Sequence, residues 1–350
     1  MKSAAKGEFL PSALKGFKVG TTVFAEWNSK DVENGNSSNE FVVNRAYFTL
    51  TKDINDWLGL YVTTDIFQSK DDDDKENGWE IRLKNAYVSM KLLGTTSLAG
   101  MIPTFSDSYD GAIWPYRVQG KHLMDEASVQ SSADFGISNQ GVFGGYMDDD
   151  YLKFATKPFA GKWGGYMVGV YNGAGYSNSE ANGNKVVSGL VYFRPMPTVP
   201  VLKGLQLAYT GTYGESNKKF KTGDTDEYPD WEMNVAQASL QHKYFTVMGQ
   251  YYWGQGTYKS QDEHDRDGYL AAAFVRIPNW EKLRLFGKYY YFDPNDDMKD
   301  DEYKTYVAGI SYDFCKEFMS FIAFEKREYE TQTKDNKDYD KLQVGFQLKF

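Results

Sequence analysis

A single cysteine, Cys315, leaves a chain of 350 residues without any intramolecular disulfide. Three histidines, His122, His242 and His264, fall in three separate polar stretches with no metal-ligand spacing, so no metal centre is indicated and no cofactor is expected. No Gly-x-Ser-x-Gly elbow occurs and no phosphate-cradling glycine motif precedes a helix, which leaves covalent catalysis without a recognisable nucleophile or phosphate site. An excess of basic charge is also absent. The net charge is -9, so nothing resembles the basic stripe that meets nucleic-acid phosphates. Apolar runs are short: the best, Tyr269 to Val275, stops at Arg276, far below the roughly 18 residues that a membrane-crossing helix requires.

Aromatic side chains, by contrast, are plentiful. Tyr and Phe number 27 and 23, and aromatics make up 17% of the chain, yet the mean hydropathy is -0.59. Apolar residues spaced one apart reconcile those figures, because a strand turns alternate side chains to opposite faces. The carboxyl end is the clearest case. Leu342, Val344, Phe346, Leu348 and Phe350 alternate with Lys341, Gln343, Gly345, Gln347 and Lys349. The same alternation sets Val19, Thr21, Val23, Ala25 and Trp27 against Lys18, Thr22 and Glu26, and Asn44, Ala46, Phe48 and Leu50 against Arg45, Tyr47 and Thr49. Leu58, Leu60, Val62 and Ile66 oppose Tyr61, Thr63 and Asp65; Leu205, Leu207, Tyr209 and Tyr213 oppose Gln206, Thr210 and Thr212. Leu283, Leu285, Tyr289 and Tyr291 oppose Arg284 and Lys288, and Tyr306, Ala308, Ile310, Tyr312 and Phe314 form one further face. Over Glu80–Leu92 the phase is ambiguous, as a bulge would make it, and over 145–163 it is unreadable.

Connections come in two lengths. Short ones fall at Asp53–Asp56, Leu93–Thr95, His242–Tyr244, Ile277–Lys282 and Cys315–Glu317. Eight long polar ones fall at Asn28–Ser38, Ser69–Trp79, Thr104–Gln130, Gly175–Asn184, Glu215–Trp231, Gln255–Asp267, Asp293–Glu302 and Thr331–Asp338. Tyr146–Trp163 and the proline-rich Pro195–Gly204 are longer turns. Eight long loops imply eight hairpins and about sixteen strands in one domain over 1–350. Long loops on one side and short turns on the other are what a one-sided transmembrane β-barrel needs, and a soluble sandwich has no reason to segregate them. Closure also removes the bare sheet edges that lipid cannot satisfy. The expected fold is therefore all-β, an antiparallel up-and-down transmembrane barrel. Residues 1–15 lack the apolar stretch of a secretory signal. They are expected to be a periplasmic N-terminal segment of a mature form.

The longest loop, Thr104–Gln130, holds Trp114, Tyr116, Arg117, Lys121 and His122 beside Asp107, Asp110, Asp125 and Glu126. A long ordered loop in a barrel either folds into the lumen or lies over its mouth. Around it, the stretches Met101-Ile-Pro-Thr, Trp114-Pro-Tyr-Arg-Val with Lys121, Ser132-Ala-Asp-Phe-Gly136, Tyr171-Asn-Gly-Ala-Gly-Tyr176 and Arg194-Pro-Met-Pro resemble the phosphate-selective porin O/P family, as do Asn44-Arg45-Ala46-Tyr47 and Lys84-Asn85-Ala86-Tyr87. The resemblance implies a sixteen-stranded trimeric porin of the Gram-negative outer membrane whose third long loop narrows the pore. The implied partners are outer-membrane lipid, lipopolysaccharide and small polar solutes or ions. It also implies anion preference from luminal Arg and Lys. Here the chain departs from the family, for it has only eight arginines and no ladder of like charge.

The constriction is expected to gather Arg117 and Lys121, facing Asp65, Glu26 or other carboxylates, with Arg45, Tyr116 and Trp114. Lys18, Arg284, Lys288, Glu325 and Arg327 are further luminal charges, and Arg82 and Lys84 join them if the phase of their strand allows. The acidic runs Asp71–Asp74 and Asp296–Glu302 suit divalent cations in ligand type but lack calcium-loop spacing. Three functions stay open: a general diffusion porin, a solute- or anion-selective channel, and a soluble β-rich glycan-binding protein. If Leu342–Phe350 is the last barrel strand, deleting Phe350 will impair membrane insertion without affecting synthesis. A truncated chain giving a normal yield of heat-modifiable barrel would refute that.

Overall fold

Alternation of apolar and polar residues becomes a closed ring of sixteen antiparallel strands in the computed structural model, which describes residues 16–68, 78–155, 157–222, 225–334 and 336–350. The expected N-terminal segment 1–15 and the acidic run Asp71–Asp74 lie outside the described residues. The first half of the ring comprises β1 (Phe17–Val32), β2 (Ser38–Asp53), β3 (Leu58–Gln68), β4 (Trp79–Leu92), β5 (Thr95–Pro103), β6 (Ala133–Phe143), β7 (Gly164–Tyr171) and β8 (Val186–Phe193). It continues through β9 (Leu205–Glu215), and a small hairpin, β10 (Phe220–Thr222) with β11 (Thr225–Glu227), stands outside the ring. The remaining ring strands are β12 (Asp230–Gln241), β13 (Phe245–Gln255), β14 (Asp265–Ile277), β15 (Trp280–Asp293), β16 (Tyr303–Asp313), β17 (Phe318–Tyr329) and β18 (Tyr339–Lys349). Three short helices interrupt the loops: α1 (Phe105–Ile113) and α2 (Leu123–Glu126) between β5 and β6, and α3 (Asp149–Leu152) between β6 and β7.

Every pair of ring neighbours but one is consecutive along the chain among the ring strands, and the remaining pair, β1 with β18, closes the ring. β1 meets β18 in register from Thr22↔Lys349 to Val32↔Tyr339. At the seam, the Thr21 amide donates to the Phe350 carbonyl (2.8 Å) and the Phe350 amide to the Thr21 carbonyl (3.0 Å), so the terminal aromatic residue completes the ladder. The eight connections expected to be long leave one end of the ring, and the first of them spans only 33–37. The short turns leave the other end together with the longer connections 144–163 and 194–204, and the carboxyl terminus lies at that end.

Burial and pairing agree with the strand phases except at Asn44, which was expected on the face of Ala46 and Phe48 but is an extra residue where Phe24 pairs with Arg45 and Ala25 with Val43. Phe48, Leu207, Leu285, Ile310, Val344 and Phe346 are exposed on the outer wall, while Asp65, Gln206, Thr212, Lys288 and Gln343 are buried on the inner face. Aromatic rings gather in two bands outside. Tyr251 stacks on Trp253 (5.6 Å) and Tyr289 meets Tyr306 (5.0 Å) towards the long loops, whereas Tyr312, Phe314, Phe318 and Phe346 form a chain of ring contacts towards the short turns. Such bands suit the two interfaces of a bilayer.

Several boundaries differ from those expected. β1 runs to Val32, so the first long loop spans 33–37 and does not begin at Asn28; the strand pair continues as a two-stranded stem. The ambiguous phase of β4 has the expected cause. Thr63 pairs with Asn85 and Thr64 with Leu83, so Lys84 is an extra residue and the side chains on its two sides change parity. The turn at 144–163 is built around α3 and an isolated bridge, Tyr146↔Gly161. Arg194, fully buried, holds it to the next turn by donating to the carbonyls of Gly161 (3.1 Å), Phe159 (3.3 Å) and Lys203 (2.7 Å) and to the Tyr151 hydroxyl (2.9 Å).

β18 offers a direct comparison of the two faces. Val344→Arg, mid-strand on the outer wall, will destabilise the barrel in lipid vesicles by ~2–4 kcal/mol. Gln347→Arg, on the inner face, will cost far less. Equal losses in urea titrations of the vesicle-folded protein would overturn the assigned phase.

Candidate functional site

Segment 104–132 is the part of the chain most thoroughly bonded to the inner face. Apolar residues of the segment, including Phe105, Tyr109, Ile113, Leu123 and Val129, are buried. In α1, Tyr109 donates to Gln206 of β9 (3.1 Å), Asp110 accepts from Gln250 of β13 (2.6 Å) and the Ala112 carbonyl accepts from Gln241 of β12 (3.2 Å). Beyond the helix, Trp114 packs on Phe274 and Phe286, and Tyr116 stacks on Phe286 at 4.0 Å while bonding Ser311 of β16 (2.9 Å). Gln119 donates to Glu325 of β17 (2.6 Å) and Gln343 of β18 (3.2 Å). Glu126 accepts from Arg327 (2.9 Å), and the Lys121 carbonyl from Lys288 (3.4 Å). These moorings run from β9 round to β18, leaving the β1–β4 wall opposite the segment.

That wall carries a compact charged cluster. The buried Asp65 carboxylate accepts from Arg82 through Nε (3.0 Å) and Nη2 (2.8 Å), with Arg45 at 4.0 Å. Lys84 donates to Ser132 at the end of the segment (2.9 Å). Facing it, Arg117 is bonded to Asp125, and Lys121 lies 3.6 Å from the same carboxylate. His122 Nδ1 is 2.9 Å from Asp107. Burial raises the Asp107 carboxyl, but the His122 bond and charge outweigh it and hold the group well below the usual range. Asp110, buried with the neutral Gln250 amide as its bonded partner, is pushed up to about 7.

Between the segment and the short turns lies a cavity of about 470 Å³. Its charged lining consists of Lys84, Arg117, Arg276, Arg284 and Lys349 against a single carboxylate, Asp107, with His122 alongside. Lining strand residues such as Thr22, Gln347, Gln241 and Thr246 all come from the short-turn half of their strands.

The expected site residues are thus divided. Arg117, Lys121, Arg45 and Asp65 do gather around the space between segment and wall, but Arg117 and Lys121 pair with Asp125 of their own segment and not with Asp65 or Glu26. Intraloop pairing is favoured because Asp125 is eight and four residues away on a folded-back segment, so no long-range ordering is needed. Glu26 instead accepts from Gln343 across the seam (2.9 Å) and from Asn28 on its own strand (3.4 Å). Trp114 and Tyr116 are buried anchors. Glu325, Arg327 and Lys288 are mooring points, and Arg284 is bonded to Asp313. Lys18 lies outside the cluster: 72% exposed, it pairs with Asp53 at the short-turn end (2.9 Å). The neutral moorings Gln206, Gln241, Gln250, Ser311 and Gln343 were missed, although inward parity marks them as it marks the charges. At the long-loop end, carboxylates of Asp267, Asp293 and Asp296, and of Asp293, Asp301 and Glu302, converge within 4.8 Å, which brings part of the Asp296–Glu302 run together.

No known family model matches the chain, and no curated protein matches it in sequence. In fold it is similar to OmpT, an outer-membrane protein of Vibrio cholerae, at 14% identity over 97% of this chain and 99% of that one, with a TM-score of 0.61. It is likewise similar to an anion-selective porin from Comamonas acidovorans (13% identity, 95% and 99% covered, TM-score 0.60). OprB of Pseudomonas putida is a third (10% identity, 96% and 94% covered, TM-score 0.62). At these identities the likeness is one of fold: the sixteen-stranded barrel of bacterial outer-membrane porins.

Tyr116→Ala removes a fully buried ring, its stack on Phe286 and its bond to Ser311 together. The segment is expected to detach locally, making Arg117 and Lys121 cleavable by trypsin in the folded, detergent-solubilised barrel. Resistance equal to that of the unaltered protein would show the remaining moorings to be sufficient.

Proposed function

We propose that the chain is an outer-membrane porin, a water-filled channel for passive diffusion of small hydrophilic solutes, with segment 104–132 as its constriction and a preference for anions. The observation that carries the channel reading is the division of the wall. A continuous outer face of exposed Val, Leu, Ile and aromatic side chains surrounds an inner face of Gln, Thr, Ser and charged groups. Exposed apolar surface on that scale belongs in lipid and would aggregate in water, which argues against the soluble glycan-binding alternative. Covalent chemistry has no place in this reading. A homotrimer surrounded by outer-membrane lipid and lipopolysaccharide is the proposed assembly; one of the similar structures is a trimer form of OmpT.

The anion preference is supported by charge balance. The β1–β4 wall sets Arg45, Arg82 and Lys84 against Asp65 and Glu26, and the segment sets Arg117 and Lys121 against Asp107 and Asp125 while its Glu126 pairs with Arg327. The cavity beyond adds Arg276 and Lys349 together with Arg284, which is paired with Asp313. A low-dielectric wall focuses such fields, so a small net charge at the narrowest section outweighs larger charges on outer loops. Outer charges beyond about 10 Å are screened at 0.1 M salt. The finer likeness to phosphate-selective porins rests on the short motifs, which place Arg45, Lys84 and Arg117 here. Carboxylates pair two of those three cations, so the expected preference is for anions broadly.

Planar-bilayer recording under a tenfold KCl gradient tests both parts. Unitary conductance steps with a chloride-favouring reversal potential are expected. Lys84→Gln combined with Arg117→Gln should lower the chloride-to-potassium permeability ratio by about two- to fivefold. Absence of steps would overturn the channel, and an unaltered ratio would overturn the location of the selectivity.

A further inference from the structure

Tyr176 belongs to the loop between β7 and β8, two hairpins' worth of chain away from the β4 strand that it meets. Its ring lies 4.9 Å from the Arg82 guanidinium and 5.0 Å from the Lys84 ammonium. Phe67 closes on Arg82 from another side at 4.1 Å, and Tyr47 on Lys84 at 5.2 Å. Two cations of the cluster are therefore each flanked by two aromatic rings. Their bonded partners differ. Arg82 is neutralised by Asp65, whereas Lys84 donates to the Ser132 hydroxyl and has no carboxylate within 4.0 Å among the described residues. Tyr47 and Lys84 both line the cavity below the segment, so a solute there meets the ammonium and a ring together.

The loop is built to hold this ring. The Asp134 carboxylate accepts from the Gly173 amide (2.6 Å), and Asn178 donates back to the Ala174 carbonyl (3.0 Å). Gly175 has φ +75°, and a Cβ there would stand 2.7 Å from that of Ser131. Only glycine lets the loop come down against the end of the constriction segment and deliver the next residue, Tyr176, to the wall. Bonds from Asn182 to the Ser216 carbonyl (2.9 Å) and from the Ala181 amide to Asn217 (2.8 Å) tie the loop to its neighbour.

We propose that Tyr176 is a specificity-determining residue of the channel, which with Tyr47 frames the Lys84 ammonium as a subsite for aromatic anions, a sulfonate or carboxylate carried on a flat ring. The proposal rests on the channel reading above. Rings flanking an ammonium strip water from its sides, so it meets weakly hydrated anions at lower desolvation cost than strongly hydrated ones. A solute ring lying along Tyr176 or Tyr47 adds a face contact while its anionic group takes Lys84. An aliphatic anion with the same headgroup gains the charge alone.

Block of the chloride current by benzenesulfonate and by methanesulfonate isolates the ring, since the two share headgroup and charge. Half-block by benzenesulfonate is expected at a roughly three- to tenfold lower concentration in the unaltered protein. Tyr176→Phe should preserve that ratio. Tyr176→Leu, which keeps bulk without a ring, and Tyr176→Ala should bring it towards one, with higher unitary conductance in the alanine variant. Equal block by the two anions in the unaltered protein, or a ratio retained in both ring-less variants, would overturn the subsite while leaving the channel intact. Failure of the unaltered protein to conduct at all would instead overturn the channel.

Discussion

Backbone hydrogen bonding in lipid is the constraint from which the rest of this structure follows. Each unpaired N–H or C=O at membrane depth costs several kcal/mol, so a sheet crossing a bilayer has to close. Closure by antiparallel neighbours requires an even number of strands and returns both ends of the chain to one side. The Thr21–Phe350 pair is where the ring is sealed. Closure also forces alternation, because each strand now has one face to lipid and one to the interior. Leu285 and Lys288, three residues apart on β15, illustrate the outcome: the first is exposed on the outer wall and the second buried inside.

Much of this was legible in the sequence because period-2 alternation and loop length are local signals. Strand number, strand phase and the division into long loops and short turns needed no tertiary information. The bulge at Lys84 was legible only as an ambiguity, since parity fails on passing it without saying which residue is extra. Helices α1 and α2 were not legible. Their helical stretches are nine and four residues long, and tertiary packing holds them where propensity would not. β10 and β11 were missed because three-residue strands carry too little alternation to read.

Of the residues expected at the candidate site, only some lie around one space, and their pairing was not legible. Arg117, Lys121, Arg45 and Asp65 converge, yet the partners of the first two are set by how the segment folds back on itself, which spacing does not reveal. Mooring of the segment shows why reading charges alone misleads. Removing one member of a buried ion pair strands the other, whereas Gln, Ser and Tyr moorings offer the segment many separate bonds of about 1 kcal/mol each. Gln206, Gln241, Gln250, Ser311 and Gln343 therefore hold a long segment without committing the interior to fixed charge. Charge is then left over for the opposite wall.

Compensation decides which of those charges a solute meets. Arg82 is matched by Asp65, Arg117 by Asp125, Arg284 by Asp313, Arg327 by Glu126 and Lys341 by Glu325. Each such pair presents a dipole, whose field falls off faster with distance than that of a lone charge. Lys84 is matched by a hydroxyl and two rings, which lower the cost of holding an ammonium away from bulk water without cancelling its charge. Lys84, bonded to a neutral partner, therefore keeps more of its attraction for an anion than the paired arginines do. Two of its neighbours, Tyr176 and Ser132, come from loops and one, Tyr47, from the wall, so the charge that solutes meet depends on how the loops are folded as much as on the barrel itself.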